Sequence, residues 1–283
     1  MPERRSTVVA GACALLLLAA AGEPLRAEPI LLRYGLAPGQ RWSAVQTVVR
    51  EMKLGGDVRH DRASARFAYR VDRTERPDRL RFDAHMLSQT VGDEQSPFDF
   101  SVIAYQAALD QRGVMSGVHF QLGEAEPPEL PGVDPDPVAF RQMLRQIAEA
   151  WIHAVYWLPE LPERALEPGD AFTIRDADDV GGTDPGVRMQ MASTTTYTLR
   201  EVDGHRARFE IAVRSTVDAA TAQSEIESRR RGSGEALFDL ELGMWVRHET
   251  RDEHKAFFSG APGGPGDASA RTITTIVMQR ESD

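Results

Sequence analysis

Apolar and polar side chains alternate along many segments of this chain, and this alternation restricts its fold more than any other feature. In the segment 63–72 the odd-numbered residues are apolar or aromatic and most of the others are polar, and segments 80–86 and 207–214 alternate in the same way. A period of two places one face of a strand in a core and the other in water. Strands with one wet face are typical of antiparallel sheets. We therefore predict a mainly β fold.

Further strands are predicted wherever short β-like segments lie between turn residues. Asp203-Gly204 separates two alternating segments and suits a tight hairpin turn with positive φ. The additional predicted strands lie near residues 42–53, 98–108, 114–122, 190–202, 236–242, 244–258 and 270–281.

One segment follows a helical pattern instead. Asp136 can cap a helix and Pro137 suits its first position. Apolar residues then recur at spacings of three and four, and the helix must end before Pro159. We predict a helix over 137–157 inside a proline-flanked connector, 127–165, with its wide apolar stripe packed on the concave face of the sheet. The stripe consists of Phe140, Met143, Leu144, Ile147, Trp151, Ile152 and Val155.

The chain also contains two similar halves. Segment 36–42 (Leu-Ala-Pro-Gly-Gln-Arg-Trp) matches segment 166–172 (Leu-Glu-Pro-Gly-Asp-Ala-Phe), and later landmarks recur in the same order at an offset of about 130 residues. We predict a first β repeat over 28–126 and a second over 166–283. Together they form a curved antiparallel sheet, a half-barrel or open barrel; one continuous sheet and two small barrels both stay open.

The N-terminus has the pattern of a secretory signal peptide. Arg4 and Arg5 precede an apolar run of 14 residues, from Val8 to Ala21. That run is shorter than the ~20 residues that cross a bilayer, so we predict no stable transmembrane anchor. We predict a signal peptide over 1–27, cleaved after Ala27 or nearer Ala21, and a periplasmic or secreted protein.

Composition excludes several classes of function. The single cysteine, Cys13, lies in the signal peptide, so the remaining chain cannot form disulfides. The whole chain carries −10; residues 1–27 hold three arginines and two glutamates, so the remainder carries about −11. Such a surface repels nucleic acid, and we predict no nucleic-acid partner.

The paired Pro-Gly-(Gln/Asp)-x-aromatic openings, with the segment 158–162 before the second and 236–239 followed by Gly243, resemble an uncharacterised family of exported bacterial proteins. More distantly, the predicted architecture is similar to the lipoprotein-carrier group, whose half-barrel cup binds acyl chains. Neither resemblance implies catalytic residues or a cofactor.

Candidate chemistry in the sequence is sparse. His248, Asp252 and His254 share one face of a predicted strand and could bind zinc. The two histidines, however, are about 20 Å apart along an extended strand. We therefore predict no metal and no cofactor, and keep a metal-dependent hydrolase as an alternative. The basic tract 229–231 is interpreted as a turn or an exposed strand end.

The sequence favours a binding protein over an enzyme. We predict a non-enzymatic protein that holds an apolar small molecule, a lipid or an apolar partner segment in a β-sheet cup. The alternative is a structural or interaction protein of the cell envelope, with a solid core and an envelope protein as its partner. The predicted cavity-lining residues are Phe67, Tyr69, Phe82, Trp151, Tyr197, Phe209 and Trp245.

Overall fold

The computed structural model describes residues 28–54, 57–92, 94–96, 99–124, 136–155, 157–181, 188–220, 225–259 and 266–282. The predicted signal peptide, 1–27, lies outside the described residues. The strands and the helix α1 are, in chain order, β1 Arg41–Leu54, β2 Asp57–Arg73, β3 Leu80–Val91, β4 Glu94–Gln95, β5 Ile103–Leu109, β6 Met115–Leu122, α1 Pro137–Val155, β7 Ala171–Gly181, β8 Arg188–Asp203, β9 Arg206–Ala220, β10 Glu225–Asp239, β11 Met244–Ser259 and β12 Gly266–Arg280.

The described strands form one antiparallel sheet. Its order is β6-β5-β3-β2-β1-β12-β11-β10-β9-β8-β7, and the short β4 pairs with β3. The sheet is curved and does not close into a barrel. The predicted fold class is therefore confirmed, and the described strands form one continuous sheet and not two small barrels.

The strand order places the two ends of the folded region next to each other. β1 and β12 pair in the middle of the sheet, with Trp42 opposite Arg280 and Leu54 opposite Ala268. The two edge strands are β6 and β7, which follow one another in sequence. The connector with α1 therefore joins the two edges of the open sheet.

The helix begins as the sequence predicts. Asp136 Oδ1 accepts a hydrogen bond from Val138 N at 2.9 Å, which caps the first turn. The helix ends at Val155, two residues before the predicted end. The buried hydroxyl of Tyr69 donates a hydrogen bond to Val155 O at 3.1 Å. Because Tyr69 lies on β2, this bond fixes the end of the helix to the concave face.

The apolar core occupies one end of the concave face. Inward residues alternate with exposed ones along the strands, as β9 shows: Ala207, Phe209, Ile211 and Val213 are buried and the residues between them are exposed. Large side chains from many strands fill this end, which we call the core end. Its largest fully buried side chains include Trp42, Trp245, Tyr105, Phe67, Phe82, Phe209, Phe238 and Met86.

Two segments that are not strands cover the core end: the segment before β1 and the connector near Leu166. The segment before β1 forms an isolated bridge between Ile30 and Leu166. It also donates from Tyr34 N to Gln111 O at 2.8 Å and from Gly35 N to Gly243 O at 2.9 Å. The segment before β1 is therefore hydrogen-bonded to the connector, to the β5–β6 turn and to the β10–β11 turn.

The two Pro-Gly turns share one hydrogen-bond pattern. Gly39 N donates to Val71 O at 2.8 Å, and Gly169 N donates to Leu199 O at 2.7 Å. Both glycines have positive φ, 90° and 96°, which only glycine adopts readily. The turns that open the two proposed repeats are locally alike, whereas the duplication of the whole chain stays a prediction.

Candidate functional site

The aromatic residues predicted to line a cavity lie in the core end. Among the described ones, none exposes more than 4% of its surface. They contact one another and their neighbours: the rings of Tyr69 and Phe82 stack at 5.0 Å, and those of Phe209 and Trp245 meet edge to face at 5.2 Å. The side chain of Trp151 lies outside the described residues. Packed in this way, the rings form a solid base to the concave face; ligand contact by any of them stays a prediction.

Beyond this base the inward side chains become smaller and more polar. Strand register places them in rows across β1, β12, β11 and β10. The row nearest the core end contains Val48, Thr274, Thr250 and Gly234; the next contains Arg50, Thr272, Asp252 and Gly232; the third contains Met52, Ala270, His254 and Arg230. We call these three rows the polar end.

A cavity of about 370 Å³ opens on the polar end. Its lining mixes aliphatic side chains with charged and hydroxyl groups, a composition suited to a ligand with both apolar and polar parts. The lining residues are Val48, Arg50, Met52, Arg230, Asp252, His254, Ala270, Thr272 and Thr274.

Asp252 is the most buried charged group of the polar end, with 1% of its side chain exposed. Its Oδ2 accepts hydrogen bonds from Arg230 Nη2 at 2.7 Å and from Thr250 Oγ1 at 3.2 Å. Asp252 Oδ1 and Arg230 Nε are buried without a hydrogen-bond partner among the described residues. Burying a charged group costs free energy unless an opposite charge and hydrogen bonds compensate for it. The buried pair of Asp252 and Arg230 therefore indicates a polar site whose side chains are held in one arrangement.

Two glycines of β10 allow a close approach of β11. A Cβ at Gly232 would overlap Asp252 Oδ1, and a Cβ at Gly234 would overlap the backbone carbonyl oxygen of Glu249. Glycine inside a strand usually weakens it and often marks a close approach of neighbouring groups. The absence of a side chain at Gly232 thus leaves room for the Asp252 carboxylate beside Arg230.

His248 lies between the core end and the polar end. Its Nε2 is 3.3 Å from the hydroxyl of Tyr197, and its ring centroid is 5.9 Å from that of Trp157. Burial lowers the pKa of His248 to about 4; Asp252 opposes this shift and Arg230 adds to it. His248 is therefore neutral at pH 7.

His254 borders the cavity between charged groups. Burial lowers the pKa of His254, and the charge of Arg230 lowers it further. Asp252 acts in the opposite direction, and Arg50 again lowers the pKa. In the described part of the chain, no three His, Cys, Asp or Glu side chains come together as a metal site. His248 contacts Tyr197 and Trp157. Asp252 contacts Arg230 and Thr250. The hydrolase alternative stays a prediction.

We expect His248 to make stability depend on pH. The imidazole of His248 takes up a proton near pH 6.5 in the unfolded chain but only near pH 4 in the folded protein. Its contribution to the free energy of unfolding is therefore complete above pH 6.5 and is lost as the pH falls towards 4. The loss should be about 3 kcal/mol. Urea unfolding at pH 7.5 and 4.5 checks this: His248→Gln should show a smaller loss than the wild type.

The control for this experiment is His85→Gln, because His85 is exposed on the opposite face of the sheet. It should retain the wild-type dependence on pH. Equal losses in the wild type and in His248→Gln would contradict the role assigned to His248.

The sequence interpretation missed the cationic part of the site. The tract 229–231 lies within β10 and is not a turn or a strand end. Arg229 and Arg231 are exposed, whereas Arg230 points inward and binds Asp252. The interpretation as a turn or strand end was therefore wrong. The alternation of β10, with Ala236 and Phe238 inward, could have placed Arg230 on the same face.

Comparisons with known proteins yield no family. No protein-family model matches the chain, and no curated protein matches it. Solved structures that align over most of the chain include Ail, the attachment invasion locus protein of Yersinia pestis. The two sequences are 6% identical, the alignment covers 86% of this chain and 100% of that chain, and the TM-score is 0.18. A Rhodopseudomonas blastica porin triple mutant has 6% identity, coverages of 84% and 100%, and a TM-score of 0.23.

Pseudomonas aeruginosa OccK2 is similar at the same level, with 5% identity, coverages of 84% and 97%, and a TM-score of 0.21. Scores this low carry no argument about fold or function. Within the described residues, no helix combines the length and apolar character needed to cross a membrane.

Proposed function

We propose that this chain is an exported, non-enzymatic binding protein, periplasmic or secreted, that holds an apolar ligand or an apolar segment of a partner on the concave face of its sheet. The observation that carries the proposal is the division of this face: a solid aromatic base at the core end and a cavity of about 370 Å³ at the polar end. The ligand binds in that cavity.

The aliphatic side chains in the cavity support the proposal that part of the ligand is apolar. Val48, Met52 and Ala270 line the cavity. The same inward positions continue to the strand end, where Leu54 pairs with Ala268 and is 66% exposed. An apolar chain laid along this path would remove these side chains from water, at roughly 25 cal/mol per Å² of buried apolar surface.

A second candidate is a structural or interaction protein of the cell envelope. The observation that favours it is the solid core end, where the described aromatic side chains contact each other. Under this candidate the protein would co-purify with an envelope protein and bind no small molecule.

Native mass spectrometry of the mature protein, with solvent extraction of what it carries, tests the proposal. We expect an adduct that organic solvent removes. Val48→Asp places a charge in the cavity and should abolish the adduct; Val49→Asp, on the opposite face, is the control, because Val49 is already 43% exposed. A wild-type protein that carries no adduct and takes up no added amphiphile would contradict the proposal.

A further inference from the structure

We propose that Arg50 and Arg230 form a subsite for the acidic head of an amphiphilic ligand, a carboxylate or a phosphate, whose apolar part lies along Val48 and Met52. This inference deepens the proposed function and rests on it. Both arginines line the same cavity as the two aliphatic side chains.

Arg230 is held in place for this role. Its Nη2 is bound to the buried Asp252, while 34% of the arginine side chain stays exposed. A guanidinium has five N–H donors in a rigid fork, so one bond to Asp252 leaves others for a ligand oxygen. Gly232 permits this arrangement, because any larger residue there would displace Asp252. Asp252 is therefore a positioning residue for Arg230.

Arg50 faces the same cavity from the other side of β12. It pairs in register with Thr272, which pairs in turn with Asp252. In the described part of the chain Arg50 makes no ion pair within 4.0 Å, although its strand neighbour on β2 is Asp61. Arg229, by contrast, has Glu227 as a carboxylate partner. An arginine without a carboxylate partner beside a cavity is available to a ligand.

The local charge suits an anion even though the whole chain is acidic. The charged side chains among the residues that line the cavity are Arg50 and Arg230 against Asp252, two positive charges and one negative. His254 lies between the two arginines of the subsite, and their charges lower its pKa. Arginine pairs with carboxylates and phosphates through two parallel hydrogen bonds, which gives such a subsite both strength and direction.

Isothermal titration of the mature protein with three ligands of equal chain length tests the inference. Dodecanoate and dodecyl phosphate carry the two candidate heads, and dodecanol carries none. We expect at least one anionic ligand to bind about tenfold or more tightly than dodecanol, equivalent to about 1.4 kcal/mol. The anion that binds more tightly identifies the head as carboxylate or phosphate.

Substitutions then assign the effect to the subsite. Arg50→Gln and Arg230→Gln should each weaken binding of the preferred anion about tenfold and leave dodecanol binding unchanged. Arg229→Gln is the matched control, since Arg229 adjoins Arg230 but is exposed on the opposite face. Among the described residues Arg50 forms no ion pair, so Arg50→Gln is expected to fold and remains informative if Arg230→Gln does not.

The outcomes separate the two proposals. Equal binding of dodecanol and both anions, unaffected by either substitution, would overturn the anion subsite and leave the proposed function standing. No binding of any of the three would overturn the anion subsite and also the apolar small-molecule ligand of the proposed function. Inorganic phosphate that binds as tightly as dodecyl phosphate, with loss in Arg50→Gln, would support the subsite and overturn the apolar part of the proposed function.

Discussion

Gly243→Ala is expected to lower the free energy of unfolding by about 3 kcal/mol or more. Gly243 follows β10 with a φ of 58°, in the left-handed region. A Cβ there would overlap the backbone nitrogen of Gly35, which donates a hydrogen bond to Gly243 O. Because the obstacle is backbone, the segment before β1 would have to move away from the β10–β11 turn.

Gly204→Ala provides the matched control. Gly204 also has a positive φ, 56°, but nothing lies within 4 Å of a Cβ at that position. It should cost only about 1 kcal/mol, from backbone strain alone. Urea unfolding at pH 7.5 gives both values. Equal losses in the two variants would mean that the contact between Gly35 and Gly243 contributes nothing to stability.

Trp245→Ala is expected to cost about 3–5 kcal/mol, the range for large aromatic truncations in a core. Trp245 is fully buried and its ring lies 5.4 Å from Tyr197, 5.2 Å from Phe209 and 5.1 Å from Phe238. These rings come from β8, β9 and β10 and are held by strand pairing, so they cannot collapse fully into the space left by the indole.

The control for Trp245 lies on the same strand. Phe257 is 46% exposed near the other end of β11, and Phe257→Ala should cost less than about 1 kcal/mol. Thermal and urea unfolding of both variants measure the difference. A loss below about 1 kcal/mol in Trp245→Ala would contradict a solid core end and favour an internal cavity there.

The sequence predicted the elements of this fold better than their arrangement. Alternation located β2, β3 and β9, and Asp136 and Pro137 located the start of α1, because these signals are local. The pairing of β1 with β12 joins residues more than 200 positions apart, such as Trp42 and Arg280, and no local pattern encodes it. One continuous sheet was therefore only one of two possibilities open from the sequence.

The site was predicted less well for a related reason. The aromatic residues were recognisable as inward-facing, but the sequence could not show that they fill their end of the concave face. The importance of Arg230 depends on Asp252 on the neighbouring strand and on Gly232, whose missing side chain makes room for the carboxylate. Cross-strand neighbours follow from register, which becomes known only once the strands are paired.

The central position of β12 has a consequence for biogenesis. β1 keeps one open edge, and β11 another, until residues 266–280 are present to fill the gap between them. Contacts so distant in sequence slow folding. Under the export proposed above, the sheet could not be completed until residues 266–280 had also crossed the membrane.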